Sequence, residues 1–151
     1  SRDFSDLCKL LDESDRIYAF GTGEVQSNAV KELKRNFLCI GKLVNAIEGN
    51  DEMEIITNFM TDSDLIFFIS LSGENKRLNK FAKILKEKGV SIVSITESGN
   101  NSLSKLSDIS IQFYTAEVAR LDNNLQIISA SQFFVINEFL LLKYLEYKYS
   151  K

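Results

Sequence analysis

The residues with the clearest chemical potential in this sequence form a short turn, Ser70-Leu71-Ser72-Gly73. The turn follows an apolar run over residues 65–69 and precedes a segment with helical periodicity. It is therefore expected at the carboxyl end of a buried strand, where open α/β sheets bind ligands. The serine hydroxyls and the unpaired amide N–H groups at a helix start favour an anion of phosphate size. The same residues would also suit a plain strand-to-helix turn without a ligand.

A second polar turn, Gly21-Thr22-Gly23, follows the first predicted strand. It begins like the glycine-rich loop of dinucleotide-binding proteins, but Gln26 stands where that motif has its third glycine, and no acidic residue ends the second predicted strand. A dinucleotide site is therefore disfavoured. Two polar turns at the carboxyl ends of strands in one sheet predict a shared site for a small polar ligand.

The sequence contains no histidine, which excludes Ser-His-Asp and Cys-His catalysis and any histidine-ligated metal site. We expect no catalytic residue, no metal ion and no cofactor. An enzyme that moves protons would need a carboxylate as its base. The candidates are four glutamates, Glu24, Glu74, Glu97 and Glu117. Each of them also suits a solvated surface position, and Glu74 is expected in the first turn of a helix, where a carboxylate stabilises the helix itself.

Strands and helices alternate along the sequence and must position these turns. Apolar runs predict five strands, at residues 16–20, 42–47, 65–69, 90–95 and 109–113. Helical patterns predict the remaining elements, at residues 4–11, 27–40, 51–60, 74–88, 102–106 and 125–149. This alternation implies right-handed crossovers and a mainly parallel five-stranded sheet. We therefore predict an α/β fold, a three-layer α/β/α sandwich, with a single domain over residues 1–151.

Composition narrows the functional classes. A net charge of −3 argues against binding of nucleic acid through this chain's own surface. The most apolar stretch, residues 133–142, is interrupted by Asn137 and Glu138 and is too short to span a membrane. Cys8 and Cys39 lie among apolar neighbours and are expected as small buried, reduced thiols rather than a disulfide. We expect a cytoplasmic protein.

The last predicted helix, residues 125–149, is apolar on more than one face. Such a helix must be covered on two sides. One side can pack on the sheet of its own chain, and the other would need a partner, so the pattern predicts a homodimer formed through this helix. A fully internal helix in a monomer is the alternative.

Taken together, these features resemble SIS (sugar isomerase) domains, and most closely the effector-binding domain of RpiR-type bacterial transcription regulators. The resemblance covers nearly the whole sequence. It is carried by residues 16–23, Ala29, the turn over residues 70–74, the strand end Ile95-Thr96, residues 102–108 and the apolar last helix. The Ser-x-Ser-Gly-Glu turn is the most specific of these features, and the glycine pair is the least.

The resemblance implies a phosphosugar-binding site made of seven residues. They are Ser70, Ser72, Gly73 and Asn75 around the phosphate, with Gly21, Thr22 and Gly23 on the other side of the ligand. Two positions depart from the family pattern, since Val25 replaces a serine and Asn75 replaces a threonine. Asn75 keeps a donating amide, whereas Val25 has no polar side-chain group. A sugar phosphate would then bind weakly, bind in a shifted pose, or be replaced by another small ligand.

Three functions remain open at this stage. In RpiR-type regulators a separate helix-turn-helix domain precedes the SIS domain and binds DNA, and residues 1–151 do not include such a domain. The resemblance therefore implies an effector-sensing module from a longer regulator, assembled as a homodimer or a tetramer, with DNA bound only by the other domain. The first alternative is a phosphosugar isomerase that uses a carboxylate base. The second is a dimerisation module with a degenerate pocket.

Overall fold

The computed structural model of the protein describes residues 4–150. Five strands form its central sheet: β1 (Arg16–Gly21), β2 (Val44–Ala46), β3 (Asp64–Ile69), β4 (Ser91–Glu97) and β5 (Ile109–Phe113). Two further strands, β6 (Glu117–Arg120) and β7 (Gln126–Ile128), form a hairpin. The helices are α1 (Phe4–Glu13), α2 (Glu24–Leu38), α3 (Gly49–Phe59), α4 (Lys76–Glu87), α5 (Ser102–Leu106) and α6 (Ser131–Tyr149).

The central sheet has the strand order β2-β1-β3-β4-β5, and every neighbouring pair in it is parallel. This confirms the five-stranded parallel sheet predicted from the sequence. Strand β3 lies in the middle, and all six of its residues are buried. Its continuous apolar run is explained by this position, because a central strand in a three-layer fold has helices on both of its faces.

Two separate apolar clusters cover the two faces of the sheet. Helices α1, α2 and α6 pack on one face, against the side chains of Ile17, Leu65 and Phe67. Helices α3, α4 and α5 pack on the other face, against Tyr18 and Ile66 among others. Successive residues of each strand therefore point to opposite layers, as the two-residue period of a strand requires. The predicted three-layer sandwich is confirmed.

The main error of the sequence-based prediction lies between β5 and α6. Residues 125–130 were predicted as the start of the last helix, but residues 126–128 form strand β7, and α6 begins only at Ser131. The hairpin turns at Asp122-Asn123-Asn124, where Asn124 adopts the left-handed conformation with φ of 62°. Leu121 and Leu125 are joined across this turn by a 2.9 Å backbone hydrogen bond. Asparagine tolerates this conformation better than most residues, so the pair of asparagines was the available signal for a hairpin.

Helix α6 is apolar on two faces, as predicted, but its own chain covers only one of them. Phe133, Leu140 and Tyr144 are buried against the rest of the layer formed by α1 and α2. Asn137 is fully buried between them and donates a 2.9 Å hydrogen bond to the backbone oxygen of Ala29 in α2. An apolar stripe remains exposed on the outer face of α6; it consists of Val135, Phe139, Leu142 and Tyr149.

None of the helices within residues 4–150 combines the length and the apolar character needed to cross a membrane. In the same range, Cys8 is a buried free thiol and Cys39 is an exposed one. The prediction of two unpaired cysteines is therefore confirmed, although Cys39 lies at the surface rather than in the core.

A polar contact joins the first and last helices of the structure. The Tyr144 hydroxyl donates a 2.9 Å hydrogen bond to Asp12 Oδ1, and the Lys148 ammonium group donates to the same oxygen over 2.9 Å. The hydrogen bond from Lys148, followed by the one from Tyr144, lowers the pKa of Asp12. Because the folded-state pKa is depressed, this contact stabilises the fold at neutral pH and is lost as the pH falls through that pKa.

We predict that Tyr144→Phe reduces the free energy of unfolding at pH 7 by about 1 kcal/mol, the usual net value of one hydrogen bond. The Asp12 pKa should rise towards its ordinary value. The stability difference from the unsubstituted chain should shrink as the pH falls from the ordinary pKa of a free aspartate, about 4, through the lowered folded-state pKa of Asp12, because Asp12 is protonated in both states only below the latter. Urea unfolding at several pH values measures the stability, and an NMR titration measures the pKa.

Tyr149→Phe is the matched control because Tyr149 is 77% exposed. An equal loss of stability at acidic and neutral pH would show that the hydroxyl acts by packing instead.

Candidate ligand-binding site

The two predicted turns lie side by side at the carboxyl edge of the sheet. Gly21 at the end of β1 is paired in register with Ile69 at the end of β3. The pairing continues into the first turn, because the Thr22 N–H donates a 3.1 Å hydrogen bond to the Ile69 carbonyl oxygen. The strand order reverses at this point, since the chain continues from β1 to one side of the sheet and from β3 to the other. Such switch points are where open parallel sheets bind ligands.

The first turn brings its backbone very close to the start of α2. A Cβ atom added at Gly21 would lie 2.5 Å from the backbone oxygen of Gln26, a distance that no side chain tolerates. The Ser27 hydroxyl also donates a 3.3 Å hydrogen bond to the Gly21 carbonyl oxygen, and the Ser27 N–H donates to Gly23 over 2.9 Å. Gly21 is therefore required for this packing, whether or not a ligand binds.

Val25 lies in the first turn of α2 and is 36% exposed. The resemblance stated from the sequence implies a serine at this position. Its position places an apolar side chain, rather than a hydroxyl, beside the first turn.

The turn over residues 70–73 is called the serine turn below. Each of its two serine hydroxyl oxygens accepts a hydrogen bond from a nearby backbone N–H group. The Gly73 N–H donates to Ser70 Oγ, and the Glu74 N–H donates to Ser72 Oγ, both over 3.1 Å. Ser70 is buried, whereas Ser72 is exposed. Because both oxygens act as acceptors here, the hydroxyl protons are still available for donation to a ligand. The N–H groups of Leu71 and Ser72 have no hydrogen-bond partner within residues 4–150.

Gly73 has a left-handed backbone, with φ of 70°, and packs directly on the Asn101 side chain. A Cβ atom at this position would overlap that side chain. Asn101 in turn donates a 2.9 Å hydrogen bond to Thr96 Oγ1 and accepts one from the Ser104 N–H over 2.8 Å. Sequence analysis did not single out Asn101. The sequence feature that could have identified Asn101 is its position directly before a short helix, where asparagine often acts as the N-cap residue.

The serine turn is tied to α5 and to α4 by further hydrogen bonds. The Gly73 carbonyl oxygen accepts from the Leu103 N–H over 3.0 Å and from Asn79 Nδ2 over 3.1 Å. Glu74 Oε1 accepts from the Ser102 N–H over 2.6 Å. The backbone of the turn is therefore fixed from both neighbouring helices.

Asn75 is the N-cap residue of α4. Its Oδ1 atom accepts a 2.9 Å hydrogen bond from the Leu78 N–H. Helix α4 thus begins at Lys76, two residues later than predicted, and Glu74 precedes the cap instead of lying in the first helical turn. The Asn75 Nδ2 group has no partner among the residues that the structure describes, so it can still donate to a ligand as the sequence suggested.

The electrostatic setting of the serine turn favours an anion. The first N–H groups of α4 have no intrahelical acceptors and carry partial positive charge. Lys76 and Arg77 in the first turn of this helix are both exposed and form no ion pair within the described chain. A phosphate bound here would meet hydroxyl and amide donors together, whereas the Lys76 and Arg77 side chains line a groove between α4 and α3.

Two of the four candidate glutamates, Glu74 and Glu117, have hydrogen-bond partners within the chain. Hydrogen bonding with Ser102, together with the charge of Lys105, lowers the pKa of Glu74. Glu117 in β6 accepts two 3.1 Å hydrogen bonds from Arg120 and a further one from Gln126. These interactions, with Arg120 the largest, lower the pKa of Glu117 as well. A lowered pKa makes a carboxylate a weaker base, so neither group is tuned for proton abstraction near neutral pH.

Comparison with known proteins identifies relatives among regulators. The chain is 32% identical over 148 residues to the HTH-type transcriptional regulator GlvR of Bacillus subtilis, which covers 98% of this chain and 58% of GlvR. The chain therefore spans less than two thirds of that regulator.

Solved structures share the fold. The sugar isomerase domain of an RpiR transcription factor from Sphaerobacter thermophilus superposes with a TM-score of 0.81 at 15% identity, covering 94% of this chain and 76% of that one. The NanR protein of Vibrio vulnificus, solved in complex with ManNAc-6P, gives a TM-score of 0.79 at 21% identity, covering 96% and 55% respectively.

The resemblance stated from the sequence is confirmed by a family-level match. The SIS domain profile matches residues 10–139, which is most of the chain and includes both turns, the whole central sheet and the first part of α6. This protein therefore belongs to the SIS domain family.

Proposed function

We propose that this chain is the effector-sensing domain of an RpiR-type transcription regulator and that its effector is a phosphorylated sugar. The observation that carries the proposal is the pairing of β1 with β3, which sets Gly21-Thr22-Gly23 directly beside the serine turn. The phosphate would lie at Ser70, Ser72, Gly73 and Asn75, and the sugar would contact the first turn. A cytoplasmic location and a DNA-binding segment elsewhere in the full regulator belong to the same proposal.

The donor set supports a phosphate at the serine turn. Both serine hydroxyls have protons to donate, and the Leu71 and Ser72 N–H groups are unpaired within residues 4–150. A phosphate dianion accepts several hydrogen bonds at once, and bonds to a charged acceptor are about twice as strong as neutral ones. A neutral sugar would leave these groups without an anion to bind, so we expect phosphorylated ligands to bind much more tightly.

On the sugar side, the first turn offers fewer polar groups. The Thr22 N–H is already bonded to Ile69, so Thr22 would contribute its hydroxyl and Gly23 its backbone. Val25 presents an apolar surface here. We infer that the preferred sugar has an apolar group, such as a deoxy or acyl methyl group, on the side that faces Val25.

The names of two similar proteins support a regulator that binds a sugar phosphate. GlvR is named as a transcriptional regulator, and NanR was solved with an amino-sugar phosphate. The fold alone does not separate sensors from isomerases, as the name of the Sphaerobacter domain illustrates. The lowered pKa values of Glu74 and Glu117 favour the sensor, because an isomerase needs a positioned base with a pKa near the working pH.

We further propose that the chain forms a homodimer through α6 and the hairpin. The hairpin, which precedes α6 in the chain, also exposes apolar residues, namely Val118, Leu121, Leu125 and Ile127. Exposed apolar side chains in one region mark an interaction surface. The hairpin makes few apolar contacts with its own domain, as its exposed residues show, so a second copy would supply its packing.

The first prediction concerns the phosphate. A thermal-shift screen of phosphosugars, amino-sugar phosphates, their unphosphorylated forms and inorganic phosphate should give a raised melting temperature with a phosphosugar. Ligand at about 100 times its Kd adds about 2.7 kcal/mol to the free energy of unfolding. Ser72→Ala should abolish most of the shift. Ser63→Ala is the matched control, because Ser63 is exposed and precedes the same strand at the opposite edge of the sheet. If no phosphorylated compound raises the melting temperature, the degenerate-pocket alternative is favoured.

The second prediction separates sensor from enzyme. We expect that the phosphosugar found in the screen is not converted by the protein, because hydrogen bonding lowers the pKa of Glu74 and of Glu117 and so weakens both as bases. NMR spectra of the sugar, recorded over hours with the protein in D₂O, would detect both isomerisation and exchange of a carbon-bound proton. Exchange that disappears in Glu117→Gln would establish an isomerase instead.

The third prediction concerns assembly. Leu142→Glu places a charge in the exposed stripe of α6 and should lower the weight-average mass in light scattering, because a buried unpaired charge strongly disfavours association. Leu43→Glu is the control, since Leu43 is similarly exposed, at 57% against 59%, but lies outside α6 and the hairpin. A chain that is monomeric before any substitution would contradict the dimer.

A further inference from the structure

Helix α4 has a charge opposite in sign to that of the whole chain. It contains five of the 18 lysine and arginine residues but only one of the 21 aspartate and glutamate residues, in a chain of net charge −3. The five basic residues are Lys76, Arg77, Lys80, Lys83 and Lys86, and all of them are exposed. None of the five takes part in an ion pair within residues 4–150. A concentrated charge without partners in its own chain indicates a surface that interacts with something else.

The neighbouring helix α3 has the opposite charge. Asp51, Glu52 and Glu54 lie on it, all three are exposed, and the helix contains no lysine or arginine. The two helices do not neutralise each other, because no ion pair joins α3 to α4 within the described residues. The surface therefore consists of an acidic strip beside a basic strip.

A groove with a volume of about 600 Å³ separates the two strips. Its basic wall includes Arg77 and Lys80 from α4, and its opposite wall includes Glu54 from α3. Phe81 and Ile84 also line it. Apolar side chains are exposed on both helices, with Ile55 57% and Ile84 39% exposed. The surface thus combines exposed apolar side chains with charges of both signs.

The arrangement of the charges decides between possible occupants. A nucleic acid or a uniformly acidic partner would suit α4 but would be repelled by the carboxylates of α3. A second copy of this chain, related by a two-fold axis, would place α3 of each copy on α4 of the other. Both strips would then meet opposite charges, and the apolar side chains would be buried at the centre. Closed two-fold contacts of this self-complementary kind are the commonest in homo-oligomers.

We propose that the α3–α4 face is a second self-association surface, at which two copies of this chain bind through reciprocal contacts between α3 and α4. This surface is distinct from the one proposed on α6, because α3 and α4 cover the opposite face of the sheet from α6. A chain that uses both surfaces would assemble beyond the dimer, and a tetramer is the closed form if the two two-fold axes intersect at right angles. The inference does not depend on the ligand site or on the α6 interface.

The test exchanges charges between the two strips. Arg77→Glu with Lys80→Glu leaves two carboxylates and one lysine, Lys76, on the α4 wall of the groove, so that both walls are acidic. Asp51→Lys with Glu54→Lys leaves two lysines and one carboxylate, Glu52, on α3, so that both walls are basic. Each double variant alone should show half the weight-average mass of the unsubstituted chain in light scattering at about 50 mM salt, where surface charges are weakly screened. An equimolar mixture of the two variants should recover the full mass, because each acidic strip then meets a basic one. This recovery also shows that both variants are folded.

Lys83→Glu with Lys86→Glu is the matched control. It makes the same change of charge on the same helix, but neither residue lines the groove, so the mass should fall much less than in the Arg77→Glu, Lys80→Glu variant. Salt at about 0.5 M should lower the mass of the unsubstituted chain, because it screens the contacts. The same measurements in the Leu142→Glu background show the α3–α4 contact without the α6 surface.

Three results would overturn the proposal. The first is a mass that neither double variant changes, and the second is a mixture that does not recover the original mass. The third is an Arg77→Glu, Lys80→Glu variant that keeps the weight-average mass of the unsubstituted chain but no longer binds DNA or an acidic peptide. This result would assign the α3–α4 face to another class of partner.

Discussion

The site depends on one structural constraint, the parallel register between β1 and β3. This register aligns the ends of two strands that are more than 40 residues apart in sequence, so that Gly21 and Ile69 are neighbours. At the opposite edge, the buried Asp64 binds Arg16 through two hydrogen bonds of 3.2 and 3.0 Å. Asp64 also accepts from the Thr61 N–H over 2.9 Å. A shift by one residue would turn every apolar side chain of β3 to the other layer and would separate the two turns.

The two apolar layers allow the site and the association surfaces to be built separately. The layer of α1, α2 and α6 contains the large apolar stripe, whereas the layer of α3, α4 and α5 supplies the helix start at the serine turn. Each layer has its own core, so exposed residues can differ on one side without disturbing the other. This separation would let one fold combine the proposed small-molecule site with the proposed contacts on its outer faces.

Much of this architecture could be predicted from the sequence, because local patterns determine it. The uninterrupted apolar run of β3 and the glycines after the strands identified the sheet and both turns. The hairpin was missed because Leu125, Ile127 and Ile128 are as compatible with a helix as with a strand. Asn101 was missed for a different reason. Its contact with Gly73 joins residues 28 positions apart, and no local pattern reports a contact of that kind. The charge contrast between α3 and α4 was likewise visible only once the two helices were seen to be neighbours.

The hydrogen bonds that tie the serine turn to α4 and α5 have a consequence for the thermodynamics of binding. Gly73, Glu74 and Asn75 all use backbone or side-chain groups in these ties, so the turn has its shape before any ligand arrives. A loop that must become ordered loses conformational entropy on binding, and this loss weakens its affinity. A turn that is already ordered avoids most of that loss. Binding at this edge of the sheet should therefore be driven by enthalpy, with a small change in heat capacity, because few apolar groups are newly buried.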